Sequence, residues 1–284
     1  MNSLHRHIEA CNNTASPAHL LAFRLGETQV GWVTPQMAQV LTFYPRDVHF
    51  DSRGVALAAR HRSSGSRTAA LEDLAGQLAP RGFLRIRGEP FDVRAAAEGP
   101  VLARLDRGAV PAFGVIGQGV HLNGLVRRAD GLHVWVGVRA RDKAVAPGLL
   151  DNIVAGGIPA GLTAEECLVK EAAEEAGMDA DLAVLARRTS RVSYILTNNE
   201  GLRRDVLHIY DLDLPEDFRP RPNDDEVERF ELWPAARLLE YVRETEGVKF
   251  NVNLVLIDLF LRQGLIDPAG EEGLRLRAGL NAGP

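Results

Sequence analysis

Glu171, Glu174 and Glu175 stand at positions i, i+3 and i+4. On a helix advancing ~100° per residue, that spacing gathers three carboxylates within one arc of roughly 100°. Like charges so placed repel, each pair costing about 0.2–0.5 kcal/mol on an isolated helix. A divalent cation relieves that repulsion and turns it to use. Carboxylate oxygens suit Mg²⁺ or Mn²⁺, which usually bind one or two protein carboxylates together with waters and substrate phosphates. Such an ion neutralises the oxygens of a diphosphate and lowers the pKa of a bound water. The competing reading is a solvated acidic face with no ligand.

The elements around these residues are legible. Gly156-Gly157-Ile158-Pro159-Ala160-Gly161-Leu162 reads as a Gly-rich loop feeding a helix from Thr163 to Ala176. Thr163 is placed as N-cap, with Glu166 completing a capping box. Gly177 is placed to end the helix in a left-handed conformation. Leu168, Val169, Ala172, Ala173 and Ala176 fill the neighbouring arc and are expected to face a core. Lys170 is expected to pair with Glu166 and Glu174. Cys167 lies near the acidic arc, where packing is the expected role.

In this order, Gly156, Gly161, Lys170, Glu171, Glu174, Glu175 and Gly177 resemble the signature of the Nudix hydrolases, G-x5-E-x7-R-E-U-x-E-E-x-G-U, with Ala172 and Met178 at apolar places U. Two residues depart from it: Leu162 stands at the first Glu and Lys170 at the Arg. The run Gly119 to Gly124, the loop Arg139…Lys143…Pro147-Gly148, Asp151-Asn152 and the segment Lys249-Phe250-Asn251 to Ile257-Asp258 widen the likeness. They resemble a Nudix subfamily similar to the part fused to thiamine pyrophosphokinase in some fungi.

The resemblance implies an α/β fold, a Nudix α/β/α sandwich with a mixed sheet, preceded by a smaller α+β N-terminal domain. The expected divisions are 1–108 for the N-terminal region, 109–268 for the Nudix domain and 269–284 for a tail. The implied activity is Mg²⁺- (or Mn²⁺-) dependent hydrolysis of thiamine diphosphate or its oxidised analogues to the monophosphate. A nucleotide or nucleotide-sugar diphosphatase and a non-catalytic Nudix ligand-sensing module are the alternatives. Retention of all three Glu argues for catalysis; Leu162 argues the other way. Glu171, Glu174 and Glu175, with the Gly156 carbonyl, are the implied metal ligands. Arg139 and Lys143 are candidates for phosphate and His121 and Asn123 for substrate, against surface solvation and a buried core histidine. Glu226 or Glu228 is a candidate base, against a solvated acidic turn. Trp135 and Tyr194 are candidate rings beside a cationic thiazolium, against a core role for each.

Composition sets limits. Of 284 residues, 45% are apolar and 25% charged, as in soluble globular chains, and the net charge of −5 gives no footprint for nucleic acid. No run of 18 apolar residues suggests a membrane span, and no signal-peptide pattern stands at Met1. Cys11 and Cys167 form no metal spacing and no disulfide framework, which fits a reducing cytoplasm. The N-terminal region is free to close over substrate, to mediate a homodimer or merely to pack. Residues 1–16 read as polar and partly disordered. Phe83–Arg87 and Ala183–Arg188 read as strands, and Glu271–Pro284 as a tail.

Overall fold

The computed structural model describes residues 3–14, 17–142, 146–223 and 226–284. The chain opens with α1 (His5–Cys11), then β1 (Leu21–Leu25), β2 (Thr28–Val33), α2 (Pro35–Leu41), β3 (Val48–Asp51), β4 (Gly54–Leu57) and α3 (Ser64–Leu78). A ribbon of β5 (Pro90–Val93) and β6 (Ala103–Asp106) and the single turn α4 (Val110–Phe113) follow. The first sheet runs β2-β1-β4-β3, with β1 and β4 parallel. Thr34 caps α2 through the Met37 N–H, and Pro35 occupies its first turn, where no N–H is needed. Leu71, Leu74 and Leu78 of α3 pack with Phe23, Phe113 and Val115 in one core.

The second half contains β7 (Ile116–Arg128), β8 (Gly131–Arg139), β9 (Leu150–Asn152), β10 (Val154–Gly157), α5 (Ala164–Ala176), α6 (Ala180–Ala183), β11 (Arg187–Asn198), β12 (Gly201–Asp213) and β13 (Val227–Pro234). Helices α7 (Ala235–Glu244), α8 (Val252–Arg262) and α9 (Glu271–Gly279) close the chain. The main sheet runs β11-β12-β7-β8-β13, with β10 on β7 and β9 on β8. It is mixed, since β12 runs parallel to β7 and β8 antiparallel to it. Period-2 alternation sorts the side chains. Val134, Val136 and Val138 pack with α7 and α8, while Trp135 packs with α5. The result is the expected α/β/α sandwich.

Four expectations fail locally. Residues 5–11 are not a loose polar arm: Leu4, Ile8 and Cys11 are buried with α8 and α9. The presumed tail contains α9, with Leu276 and Leu280 buried; a Cβ on Gly279 would lie 2.5 Å from Ile8 Cγ2, so α1 and α9 pack tightly. Phe83–Arg87 alternates but has no neighbouring strand to pair with, and the Arg87 and Gly88 N–H groups donate to the Asp106 carboxylate. Ala183 ends α6, and the strand expected over 183–188 begins at Arg187.

Candidate active site

The Gly-rich strand and the acidic helix meet face to face. Thr163 and Glu166 make both bonds of the capping box, and Gly177 ends α5 at φ 58°. The buried positions of α5 are Cys167, Leu168, Ala172, Glu175 and Ala176, so Ala173 is exposed and Glu175 takes an inward place. Glu175 falls ~20° from Leu168 on the helical wheel, being seven residues on. Its Oε2 accepts from the Ala155 N–H at 2.9 Å, and burial pushes its carboxyl well above the usual range. Burial also raises Glu171, against the nearby Lys170 charge. A Cβ on Gly156 would stand 2.6 Å from Glu171 Cγ and Oε2, so the helix reaches the strand only because Gly156 has no side chain. Glu174 is half exposed and bonds Lys170 Nζ at 2.5 Å; Lys170 reaches Glu171 at 3.3 Å. Glu166 is spent on the cap and does not pair with Lys170. Cys167 is buried, its thiol pushed up to about 12 by burial, which suits packing.

Beside this floor lies a buried polar chain. Asp151 accepts from Arg139 Nη1 and from Lys249 Nζ, each at 2.9 Å. Burial alone would raise its carboxyl; the Lys249 and Arg139 charges outweigh it and hold it below the usual range. His121 Nδ1 donates to Asn152 Oδ1 at 2.9 Å, Asn152 Nδ2 to Asn123 Oδ1 at 2.9 Å, and Asn123 Nδ2 to Asp211 Oδ1 at 2.8 Å. Arg262 continues the chain from Asp211 to Asp258 on α8. Burial lowers His121 to about 4, so the ring is neutral at pH 7.

A cleft of about 580 Å³ opens over β10 and one end of the polar chain, and Glu171, Glu174 and Glu175 do not line it. Gly156, Gly157, His121, Arg139 and Glu226 line it, as do Lys249, Phe250 and Asn251. The N-terminal region lines it too, through Arg85, Arg87, Glu89, Phe91 and Arg107. Asn123 does not reach the cleft: it is fully buried and holds the polar chain together. Glu228 points elsewhere, to Arg229 at 3.0 Å. Lys143 lies outside the described residues. Trp135 and Tyr194 are core residues; Tyr194 is sealed against Asp205 and faces no substrate. Leu162 is half-buried and borders a second, shallow groove with Glu72, Asp92 and Arg104, so an apolar side chain fills the place of the signature Glu.

The family profile of the NUDIX domain matches residues 119–252, and that of a domain of unknown function, DUF4743, matches residues 3–117. Nudix hydrolase 20, chloroplastic, of Arabidopsis thaliana is 36% identical over 272 residues, covering 92% of this chain and 73% of the relative. The chain belongs to the Nudix hydrolases. Nudix hydrolase 24, chloroplastic, of the same plant is 35% identical over 265 residues, with 92% and 73% covered. Among solved structures, DR0079 from Deinococcus radiodurans has 21% identity and a TM-score of 0.44, covering 59% of this chain and 97% of that one. The NUDIX domain of Shewanella oneidensis NrtR, complexed with ADP ribose, has 16% identity and a TM-score of 0.41, with 55% and 92% covered.

Nudix hydrolases generally use a divalent metal. Among the described residues no three His, Cys, Asp or Glu side chains converge on one point as they stand. Glu174 is turned to Lys170 and Glu175 to Ala155, which accounts for the spread. The donor chemistry nonetheless fits a hard cation. Half-buried Glu171 and buried Glu175 lie side by side, both raised by burial, and the Lys170 charge offsets this for Glu171 only in part. Glu171, Glu174 and Glu175 would hold the ion, which would neutralise phosphate oxygens and activate water. No helix among the described residues is long and apolar enough to cross a membrane.

Two groups of site residues have no role assigned by the sequence. Asp151 and Lys249 stand in stretches that carry the subfamily likeness, but they are 98 positions apart and nothing local marks them as a pair. Glu89, Phe91 and Arg107 sit in the N-terminal region, where no motif marks them.

Proposed function

We propose that this Nudix hydrolase cleaves the diphosphate bond of a small molecule with Mg²⁺ or Mn²⁺, and that thiamine diphosphate or its oxidised analogues are its substrates. One observation carries the reaction. Half-buried Glu171 and buried Glu175 lie against β10 at Gly156 and Ala155, and the cleft that this strand borders is lined by Arg139 and Lys249, each 2.9 Å from Asp151. The acidic side suits a cation and the basic side suits phosphate oxygens. Glu226 lines the cleft close enough to Glu175 for their charges to interact, and it is the base in this reading. It takes a proton from water as the water oxygen attacks phosphorus; the bond from phosphorus to the bridging oxygen breaks, giving a monophosphate ester and phosphate.

The substrate half of the proposal rests on the subfamily resemblance of residues 119–124, 139–157 and 249–258. Phe250 and Asp205 in the same cleft are engaged by Arg203, which stands 5.9 Å from the ring centre and 2.7 Å from the carboxylate, so this corner already accommodates one planar cation. Cys11 and Cys167, both free and buried, support a reducing compartment such as the cytoplasm. The test compares kcat/KM for thiamine diphosphate, its oxo and oxy analogues, ADP-ribose and 8-oxo-dGTP, with Mg²⁺ and with excess chelator. The thiamine compounds are expected to lead and chelator to abolish turnover. A nucleotide cleaved tenfold better than every thiamine compound overturns the substrate; full activity in chelator overturns the metal.

A further inference from the structure

The N-terminal region is built into the cleft by its backbone. The Asp106 carboxylate accepts from the N–H groups of Arg87 at 2.9 Å, Gly88 at 2.7 Å and Gly108 at 2.8 Å, tying two turns together. The Arg107 N–H donates to the Glu89 carbonyl at 2.8 Å, and the Ala160 N–H of the Gly-rich loop donates to Pro90 at 2.7 Å. Those turns press side chains onto the glycine strand. Phe91 Cζ lies 2.5 Å from where a Gly157 Cβ would be, and Arg107 Cζ lies 3.4 Å from that point. Arg107 also stands 5.6 Å from the centre of the Phe91 ring. Its Nη1 donates to Glu89 Oε2 at 2.9 Å, which orients the guanidinium while the side chain stays 52% exposed. Arg85 and Arg87 line the same cleft and have no carboxylate partner among the described residues.

We infer that Arg107, oriented by Glu89 and supported by Arg85 and Arg87, is a phosphate-recognition site that the N-terminal region supplies to the Nudix cleft. The inference rests on the diphosphate reading for its class of ligand. Arg139 and Lys249 are both engaged with buried Asp151, whereas Arg107 keeps part of its planar fork open. Arg is suited to grip a phosphate through paired N–H bonds. The N-terminal region is thereby part of the active site, and Phe91 and the Asp106 turns fix its position on the glycine strand.

The test is calorimetric titration of inorganic pyrophosphate, in chelator and at low salt, into the full chain. The proteins are the wild type, Arg107→Ala, Arg107→Lys, the double variant Arg85→Ala/Arg87→Ala and the remote control Arg60→Ala. Arg107→Ala is expected to weaken binding at least tenfold with an unchanged melting temperature. Arg107→Lys should recover part of the loss, the double variant should flatten the salt dependence, and Arg60→Ala should bind as wild type. If Arg107→Ala is poorly folded, Arg107→Lys and the double variant decide by the same readout. Wild-type binding in all cleft variants, or no binding by the wild type, overturns the inference. Failure of thiamine compounds as substrates leaves pyrophosphate binding in place, so the two readings fail separately.

Discussion

Gly156 and Glu171 occupy what would otherwise be the same space: a Cβ on the glycine would stand 2.6 Å from Oε2 of the glutamate. Gly156→Ala must therefore swing Glu171 away or push α5 off β10. Overpacking of this kind costs about 1–3 kcal/mol. We expect Gly156→Ala to lower kcat/KM at least ~10-fold, equivalent to ~1.4 kcal/mol, with a matching loss in urea unfolding. Gly76 on α3 is the control, because nothing lies within 4 Å of its added Cβ. Gly76→Ala should stabilise by about 0.5–1 kcal/mol and leave kinetics alone. Wild-type activity in Gly156→Ala would show that the contact does not position the carboxylate.

Glu175 is the carboxylate whose role separates most cleanly from folding. It is buried, raised by that burial, and already accepts an N–H bond from Ala155. Gln keeps the acceptor and removes the charge. Glu175→Gln should lower kcat by at least ~100-fold, as loss of a preorganised charge does. Without metal its melting temperature should equal or exceed that of the wild type, because no buried charge remains to be desolvated. A large fall in stability together with activity would mark Glu175 as structural.

How far the chain discloses this site depends on the distance between the cooperating residues. Thr163, Glu166 and Gly177 act within a few positions, and α5 begins and ends where they require. Glu175 is legible too, since a spacing of seven from Leu168 turns it inward, although it shares an arc with Glu171 and the exposed Glu174. Asn123 and Asn152 are different. They meet because β7 and β9 both border β8 and bring their side chains to one face, a pairing that local periodicity does not encode. Phe83–Arg87 has the alternation of a strand without a partner edge; its Phe83 N–H donates to the Leu78 carbonyl and its Arg87 N–H to Asp106 instead.

His121 sets a stability window. Burial lowers its pKa to about 4, while an unfolded histidine titrates near ~6.5. Between those values the unfolded chain binds a proton that the folded chain refuses, so stability falls as pH drops through this range. From pH 7 to pH 5 this one residue removes about 2 kcal/mol. His121→Gln, which offers an amide to Asn152, should lose correspondingly less over the same interval in urea titrations. Glu175, raised rather than lowered, acts with opposite sign in acid and should be present in both proteins. Equal pH slopes for the two proteins would count against the neutral buried ring.

Asp151 is a buried charge held by Lys249 and Arg139 at 2.9 Å each. Lys249→Met leaves it one cation where it had two, and breaking a buried pair costs about 3–5 kcal/mol; the remaining Arg139 should keep the loss near the lower end. Asp151→Asn alone leaves two cations facing each other without their counter-ion. The double variant Asp151→Asn/Lys249→Met removes one charge of each sign and should be more stable than the sum of the two single effects by at least ~1 kcal/mol. The sign of the pH effect follows from the lowered carboxyl: its stabilisation is present above the unfolded pKa near ~4 and is lost as pH falls through the lower folded value. The double variant should lack that acid-dependent loss. Activity should not recover with stability, because Lys249 lines the cleft. Strict additivity in unfolding free energy would mean that Asp151 and Lys249 do not depend on each other, and that the cationic side of the cleft is held by packing alone.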